Sequence, residues 1–457
     1  MKFSAVILAA GEGKRMGADG PKVLCDLGGA PLLAHVIGMM RRLGAGAVHI
    51  VVGHGADRVR EAFGGDDNLV WHEQREQLGT AHAVSCALPA LGDADTALIT
   101  YADMPLIHAG TYRGVLDGLA RADLALLTAD VTAPAGYGRI LRDGRGAIAG
   151  IVEEADATPE QRAIAEVNLG VMAAKTKVLR ELIAKVGNDN NQREYYLTDC
   201  AAAAVAGGLR VASSGLRDES EAAGVNDRIQ LERAERILQR RRVHGLMERG
   251  ACVRDASRLD VRGEVELGRN VLFDVGVVLE GAVELGDDVS VGAYSMLRDV
   301  SIGAGSVIKP YSIVEDAQIG ARCFIGPYAR IRPQTVLADE VHVGNFVEVK
   351  KSVIGAGSKA NHLSYIGDSE IGAAVNVGAG VITCNYDGAD KHRTVIGDDV
   401  FIGSDTQLVA PVAVGDGATI GAGSTITRDA GAGALTLSRS EQKSVANWRR
   451  PRKKGAG

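Results

Sequence analysis

The sequence predicts two domains of different class in one chain: an α/β domain built on a mostly parallel sheet and, beyond a helical linker, an all-β parallel β-helix. Three observations predict this. Strand and helix signals alternate through the first half. A charged stretch from Asp227 to Arg249 has helical spacing. After about residue 250, fifteen aliphatic-Gly pairs recur in one phase. A chain of 457 residues is also too long for one compact core. Glycine supplies 59 of those residues and aromatic side chains only 4%, a mixture that suits tight corners and small, stacked apolar groups.

The first half reads in order as follows. Phe3 to Leu8 is a buried strand. Pro31 to Leu43 is a helix with Leu32, Leu33, Val36, Ile37 and Met40 on one face. Ala47 to Val52 is a strand, Asp57 to Phe63 a short helix, and Thr96 to Tyr101 and Asp123 to Thr128 are further strands. This βαβα rhythm places helices on both faces of a parallel sheet. Ligands on such sheets sit at the carboxyl ends of the strands. The run from Met1 to Ala10 is apolar enough to pass for a short signal peptide, but it flows into a Gly-rich loop with a chemical logic of its own.

Asp227 to Arg249 holds seven Arg and four acidic residues, and Leu231, Ala234, Ile237 and Leu238 recur on one helical face. A long helix joining two domains is expected there. The domain limits read as 1–228, 229–249 and 250–457.

Beyond it come pairs such as Leu285-Gly286, Val291-Gly292, Ile302-Gly303, Ile319-Gly320 and Ile325-Gly326. Most steps between them are close to a multiple of six. A period of six fits neither a helix nor an ordinary strand. It fits a triangular parallel β-helix, six residues to a face and three faces to a coil. The aliphatic residue points inward, and the Gly is expected to help the chain turn the corner. Residues 251–437 make roughly ten such coils. The phase breaks between Val377 and Ile396, so the polar insert Thr383 to Lys391 is expected to loop out and to carry function.

Composition excludes several classes. With 51 Lys and Arg against 57 Asp and Glu, net charge is −6, so no global positive field recruits nucleic acid. No run of 18 apolar residues is present to span a membrane. The six cysteines lie far apart and form no C-x-x-C pair, which argues against a zinc knuckle and for a reduced, cytoplasmic chain. Arg449, Arg450, Arg452, Lys453 and Lys454 make a basic tail, read as a solvated and mobile terminus.

Leu8-Ala9-Ala10-Gly11-Glu12-Gly13-Lys14-Arg15-Met16 follows the first strand. It is neither G-x-G-x-x-G nor a P-loop. A Gly-rich strand-to-helix turn still aims backbone N–H groups at anionic oxygens. Lys22 adds a positive charge, and Asp103, just past an apolar strand, is a carboxylate suited to Mg²⁺ beside phosphate.

These segments, with Glu76-Gln77-Leu78-Gly79-Thr80-Ala81-His82-Ala83, resemble the sugar-nucleotide pyrophosphorylases. Over nearly the whole chain the order of parts, and motifs such as Gly136-Tyr137-Gly138-Arg139, Glu194-Tyr195-Tyr196-Leu197-Thr198-Asp199, Ser358-Lys359-Ala360-Asn361-His362 and Asn385-Tyr386-Asp387-Gly388, resemble a bacterial family. That family comprises bifunctional N-acetylglucosamine-1-phosphate uridylyltransferases/glucosamine-1-phosphate N-acetyltransferases. The resemblance implies a Rossmann-like nucleotidyltransferase domain and a left-handed β-helix. It implies a homotrimer, and acetyl-CoA, UTP and the two sugar phosphates as substrates, with Mg²⁺. Leu8, Ala9, Ala10, Gly11, Lys22, Gln74, Gly79 and Thr80 would bind the nucleotide. Tyr101, Ala102 and Asp103 would line the site, Gly138, Glu153 and Asn168 would bind the sugar, and Asp103 and Asn226 would hold the metal. His362 would be the general base, supported by Glu348. Arg332, Lys350, Tyr365 and Asn376 would hold the sugar phosphate. Ala379, Ser404, Ala422 and Arg439 would line the acetyl-CoA site, with Asn385 and Tyr386 orienting the reacting groups. Lys14, Ala102 and Leu169 depart from the family's usual Thr, Gly and Thr. Two other readings stay open: a single-activity nucleotidyltransferase with the β-helix as scaffold, and a non-catalytic subunit.

Overall fold

The computed structural model describes residues 2–11, 13, 16, 20–92 and 95–451. Lys14, together with Glu12 and Arg15 of the Gly-rich loop, lies outside the described residues, as do Arg452, Lys453 and Lys454 of the tail.

In the first half, Phe3–Ala9, Leu32–Arg42, Ala47–Val52, Ala56–Ala62, Thr96–Tyr101 and Leu124–Asp130 form the expected alternation. Phe3–Ala9 is buried throughout, which explains its continuous apolar run. Phe3, Ala5, Ile7 and Ala9 feed one core and Val6 and Leu8 another, one on each face of the sheet. The path across the sheet runs Val211–Gly215, Leu124–Asp130, Glu166–Lys175, Thr96–Tyr101, Phe3–Ala9, Ala47–Val52, Leu69–Glu73. Glu166–Lys175 is antiparallel to both neighbours, and the other pairs on this path are parallel. Phe3–Ala9 pairs with Ala47–Val52 on one side and Thr96–Tyr101 on the other. The chain therefore reverses direction across the sheet at that strand, and a crevice opens at its carboxyl end.

Arg228–Glu248 is one helix. Compact units run Met1–Leu238 and Gln239–Gly457, so the helix divides between them. Leu231, Ala234, Ile237 and Leu238 pack with Met16, Leu27, Leu32, Leu106 and Val225, whereas Val243 and Leu246 join the core of the second unit.

That second unit is the β-helix, with parallel sheets of 11 and 15 strands. On one face Ser290, Val307, Phe324, His342, Lys359 and Asn376 pair in succession, each one coil on from the last. The hexad aliphatics Leu285, Ile302, Ile319, Ile354 and Ile371 are at most 4% exposed.

The Gly residues that follow them act differently from the expectation. Gly286, Gly303 and Gly355 do not adopt left-handed backbone. A Cβ on Gly303 would lie 2.6 Å from the Ala321 amide nitrogen of the next coil, and one on Gly286 2.7 Å from that of Ala304. They are Gly because stacked corners press backbone on backbone. Left-handed positions fall partly on other glycines, such as Gly276, Gly305 and Gly326, and partly on larger residues, among them Tyr294, Tyr311, Tyr328 and Phe346. Their rings stack one above the next at 5.3, 5.0 and 5.3 Å.

The insert is shorter than expected. Ile382–Cys384 is a strand, with Thr383 buried and its hydroxyl accepting from the Gly367 N–H at 2.8 Å. A polar residue there is satisfied inside the coil, so the excursion begins only after Asn385. Pairing then jumps from Asn376 to Phe401, a longer step than the single coil that separates Lys359 from Asn376.

Candidate functional site

In the first unit a cleft opens at the carboxyl ends of the central strands. It is lined by Leu8, Ala9, Ala10, Gly11, Lys22, Gln74, Gly79, Thr80, Tyr101 and Asp103, all expected, and by Val23, Gln77, Ala83 and Glu194. Small side chains at Ala9, Ala10 and Gly11 leave backbone within a ligand's reach. Pro21 leads into a single 3-10 turn, Lys22–Leu24, that seats Lys22. Gly13, at φ +64°, makes room for it, since a Cβ there would meet Lys22 Cβ at 2.7 Å. Gly79 (φ +111°) is fixed as firmly: a Cβ would lie 2.5 Å from the Tyr195 carbonyl oxygen. The Gln74 amide donates to Gly79 O at 2.9 Å, and the Gln77 amide to Ala10 O at 2.9 Å. Gln77 and Glu194 stand within motifs visible in the sequence, but their roles were not assigned from it.

Lys22 Nζ donates to Asp103 Oδ2 at 2.6 Å and to Asn226 Oδ1 at 3.0 Å. Two hard oxygen donors thus converge on one cation, the pattern Mg²⁺ takes with phosphate oxygens and water. Burial, then the Glu153 and Asp103 carboxylates, push the Tyr101 phenol up. Gly170 presses on the Tyr101 ring, and its N–H donates to Asn168 Oδ1 at 3.2 Å. Gly138 faces Glu153, where an added Cβ would sit 3.4 Å from Oε2. Burial raises the Glu153 pKa, and nearby Asp199 and Asp156 add to this against a 2.8 Å hydrogen bond from Thr198. Ala102 is placed elsewhere. It is 1% exposed within the core, its N–H donating to Leu8 O at 3.0 Å, because alternation along the strand end turns it away from Tyr101 and Asp103. Leu169 is also buried.

In the second unit the expected residues fall on adjacent rungs. A backbone ladder runs from Leu363 N to Asn345 O, Gly380 N to His362 O, Asp405 N to Ala379 O, and Gly423 N to Ser404 O. It aligns Asn345, His362, Ala379, Ser404 and Ala422 along one edge, and Arg439 Nη1 donates to Ala422 O at 3.2 Å. His362 is exposed, and its Nδ1 lies 3.1 Å from Asn345 Oδ1. Glu348 does not take that position. It pairs with Arg332 at 2.7 Å, because it stacks on Tyr365 rather than on the imidazole. Asn376 lies in register with Lys359 and Phe401.

Asp368 is a residue that sequence reasoning missed. It accepts from Lys350 at 3.0 Å and from the Asn385 amide at 2.5 Å, with Lys351 at 3.9 Å. Burial works to raise its carboxyl pKa, and the Lys350, Asn385 and Lys351 contacts outweigh it and hold the carboxyl below its usual range. Gly367 leaves space for both the Tyr365 hydroxyl and the Asn385 amide. Tyr386 is exposed, its hydroxyl donating to Gly388 O at 2.6 Å.

Residues 5–193 match the MobA-like NTP transferase domain, 261–354 the GMPPB C-terminal domain, and 393–428 the bacterial transferase hexapeptide (six repeats). The chain is 54% identical over 455 residues to Bifunctional protein GlmU of Aromatoleum aromaticum, covering 100% of both chains. It is 51% identical over 449 residues to that of Stenotrophomonas maltophilia, covering 98% of both. With two sets of site residues, each in its own unit, and relatives matched from end to end, this chain belongs to the family of bifunctional GlmU proteins.

Proposed function

We infer that this chain makes UDP-N-acetylglucosamine in two steps. It transfers acetyl from acetyl-CoA to glucosamine 1-phosphate, then uridylyl from UTP to N-acetylglucosamine 1-phosphate. The observation that carries the division of labour is the ladder on the second unit, which puts one imidazole beside a continuous edge.

In acetyl transfer, His362 Nε2 takes a proton from the sugar's amine as its nitrogen attacks the thioester carbonyl. The tetrahedral oxyanion collapses and the coenzyme leaves as a thiol. Asn345 accepts from Nδ1–H, which leaves the Nε2 lone pair free. Arg332, Lys350 and Tyr365 hold the sugar phosphate, and Asn376 the ring. Ala379, Ser404, Ala422 and Arg439 line the coenzyme's path, while Asn385 and Tyr386 orient the reacting groups. In uridylyl transfer, a phosphate oxygen of the acetylated sugar attacks the α-phosphorus of UTP and pyrophosphate leaves. Positioning and charge neutralisation supply most of the rate. Leu8 to Gly11, Lys22, Gln74, Gly79 and Thr80 seat the nucleotide. Gly138, Glu153 and Asn168 seat the sugar. Asp103 and Asn226 would hold Mg²⁺, which supplies positive charge to the phosphates.

A homotrimer is supported by the stacked column of half-exposed Tyr294, Tyr311, Tyr328 and Phe346 on the β-helix edge, an apolar stripe suited to a second copy. Six free cysteines suit a reducing cytoplasm. No helix among the described residues is long and apolar enough to cross a membrane.

The test supplies glucosamine 1-phosphate, acetyl-CoA, UTP and Mg²⁺ and assays the nucleotide sugar. His362→Ala should abolish thiol release from acetyl-CoA and leave uridylyl transfer intact. Absence of product from folded wild-type protein, or retained thiol release in the variant, would overturn the assignment. Sedimentation measures the trimer.

A further inference from the structure

The excursion that leaves the coil after Asn385 is itself a closed unit. Tyr386 and Lys391 form one antiparallel bridge, and the His392 N–H donates to Asn385 O at 2.8 Å. Inside it, Asp387 Oδ1 accepts from the N–H groups of Ala389 at 2.8 Å and Asp390 at 2.7 Å. The other carboxylate oxygen, Oδ2, meets His392 Nε2 at 2.7 Å. One oxygen therefore shapes the turn, and the other ties it to the returning strand.

The tie works against a repulsion built into the site. Lys350 Nζ lies 3.0 Å and Lys351 Nζ 3.9 Å from the single carboxylate of Asp368, and the loop carries a third ammonium, that of Lys391, beside Lys350. Lys350 lowers the Lys391 pKa, as one ammonium does to another. Asp368 neutralises only part of this positive charge, so the repulsion between Lys350 and Lys391 opposes closure of the loop until another anion binds. The hydrogen bond from His392 is the largest of the contacts that hold the Asp387 carboxyl well below its usual range, so the anion that anchors the tie persists throughout the neutral range.

We propose that Asp387 and His392 form a positioning latch, which holds the Tyr386–Lys391 loop closed so that Lys391 joins Lys350 on the sugar's phosphate. Neither latch residue touches the reacting atoms. The proposal rests on reading the second unit as the acetyltransferase. The latch acts on phosphate capture, so its loss is felt in binding and is small once the site is saturated.

The experiment compares wild type, His392→Ala and His392→Gln in steady-state acetyl transfer, with uridylyl transfer measured on the same preparations. His392→Ala should raise KM for glucosamine 1-phosphate about tenfold, equivalent to ~1.4 kcal/mol, with kcat within about twofold. His392→Gln keeps an N–H that can reach Asp387 and should recover most of the loss. Trypsin should cut after Lys391 faster in His392→Ala than in wild type, and inorganic phosphate should slow the cut. An unchanged KM with active wild type, or a fall in kcat alone, would overturn the latch. If His392→Ala lost acetyl and uridylyl transfer together, the residue would be structural and the proposal would fail. Absence of acetyl transfer from wild type would instead overturn the functional reading beneath it.

Discussion

The Lys22 ammonium lies 2.6 Å from Asp103 Oδ2, with Asn226 Oδ1 on its other side, so the lysine itself occupies the position where two oxygen donors meet. Lys22 is only 8% exposed, so little water screens the pair. A divalent cation entering the nucleotide-free cleft must displace it or share the carboxylate with it. Lys22→Gln is therefore expected to tighten Mn²⁺ binding to the free protein about tenfold, equivalent to ~1.4 kcal/mol, as read by electron paramagnetic resonance. Uridylyl transfer should fall in the same variant, because the proposed contact of Lys22 with the nucleotide's phosphates is lost. Mn²⁺ affinity equal to wild type would mean that the ammonium does not guard the position.

His49 gives the first unit a pH dependence. It is 3% exposed, its Nδ1 is 3.0 Å from His72 Nε2, and the rings stack at 5.2 Å. Burial, then repulsion from His72, brings its pKa down to about 4 from 6.5, against a smaller opposing pull from Asp95. The unfolded chain therefore takes up this proton first as pH falls. The stability is fully present above pH 6.5 and is lost as pH falls toward about 4. Urea melts across that range should show a loss of up to about 3 kcal/mol in the first unit, and His49→Phe should flatten the slope.

Asn345 and Glu348 should separate kinetically. Asn345 accepts from the His362 ring and fixes its tautomer, whereas Glu348 holds Arg332. Asn345→Ala is expected to lower kcat for acetyl transfer roughly tenfold or more, part of the 10²–10⁴ that general-base catalysis contributes, with KM little changed. Glu348→Gln should act mainly on KM for the sugar phosphate. Steady-state kinetics of the two variants decides between this arrangement and one in which Glu348 supports the base.

Corner glycines of the β-helix divide into two kinds. A Cβ on Gly303 would lie 2.6 Å from the next coil's backbone, whereas one on Gly431 would have nothing within 4 Å. Gly303→Ala is expected to destabilise the second unit by about 1–3 kcal/mol, the cost of overpacking, and Gly431→Ala to be nearly neutral. Equilibrium unfolding followed by circular dichroism measures both.

Much of this architecture was legible from residue patterns. The centre of the first sheet is legible because Phe3–Ala9, Ala47–Val52, Thr96–Tyr101 and Leu124–Asp130 are almost wholly buried apolar runs. The more exposed Leu69–Glu73 and Val211–Gly215 and the antiparallel Glu166–Lys175 are not such runs from end to end. The β-helix is legible because a period of six has few other solutions. What escaped depends on distances in space. Glycine at a hexad corner is demanded equally by left-handed backbone and by close approach, so residue type alone could not show that approach was the cause. Ala102 read as a site residue because it stands between Tyr101 and Asp103, yet alternation sends its side chain to the core. The resemblance implies that Glu348 supports His362, yet the coil's own step sets Glu348 on Tyr365. Asn345 is set one coil before His362, and the same step pairs His342 with Lys359. That arithmetic was available in the sequence. Asp368 carried no such signal, since a lone Asp at a corner resembles the many that only cap backbone.

The edge that carries Asn345, His362, Ala379, Ser404 and Ala422 has one further property. Neighbouring rungs of a sheet are about 4.8 Å apart, so these positions are graduations at a constant pitch, spanning roughly 19 Å from first to last. A slender molecule lying along the edge is measured by them. Three such steps separate His362 from Ala422, roughly 14 Å, so a ligand reaching both would lie extended along the edge rather than folded over one rung.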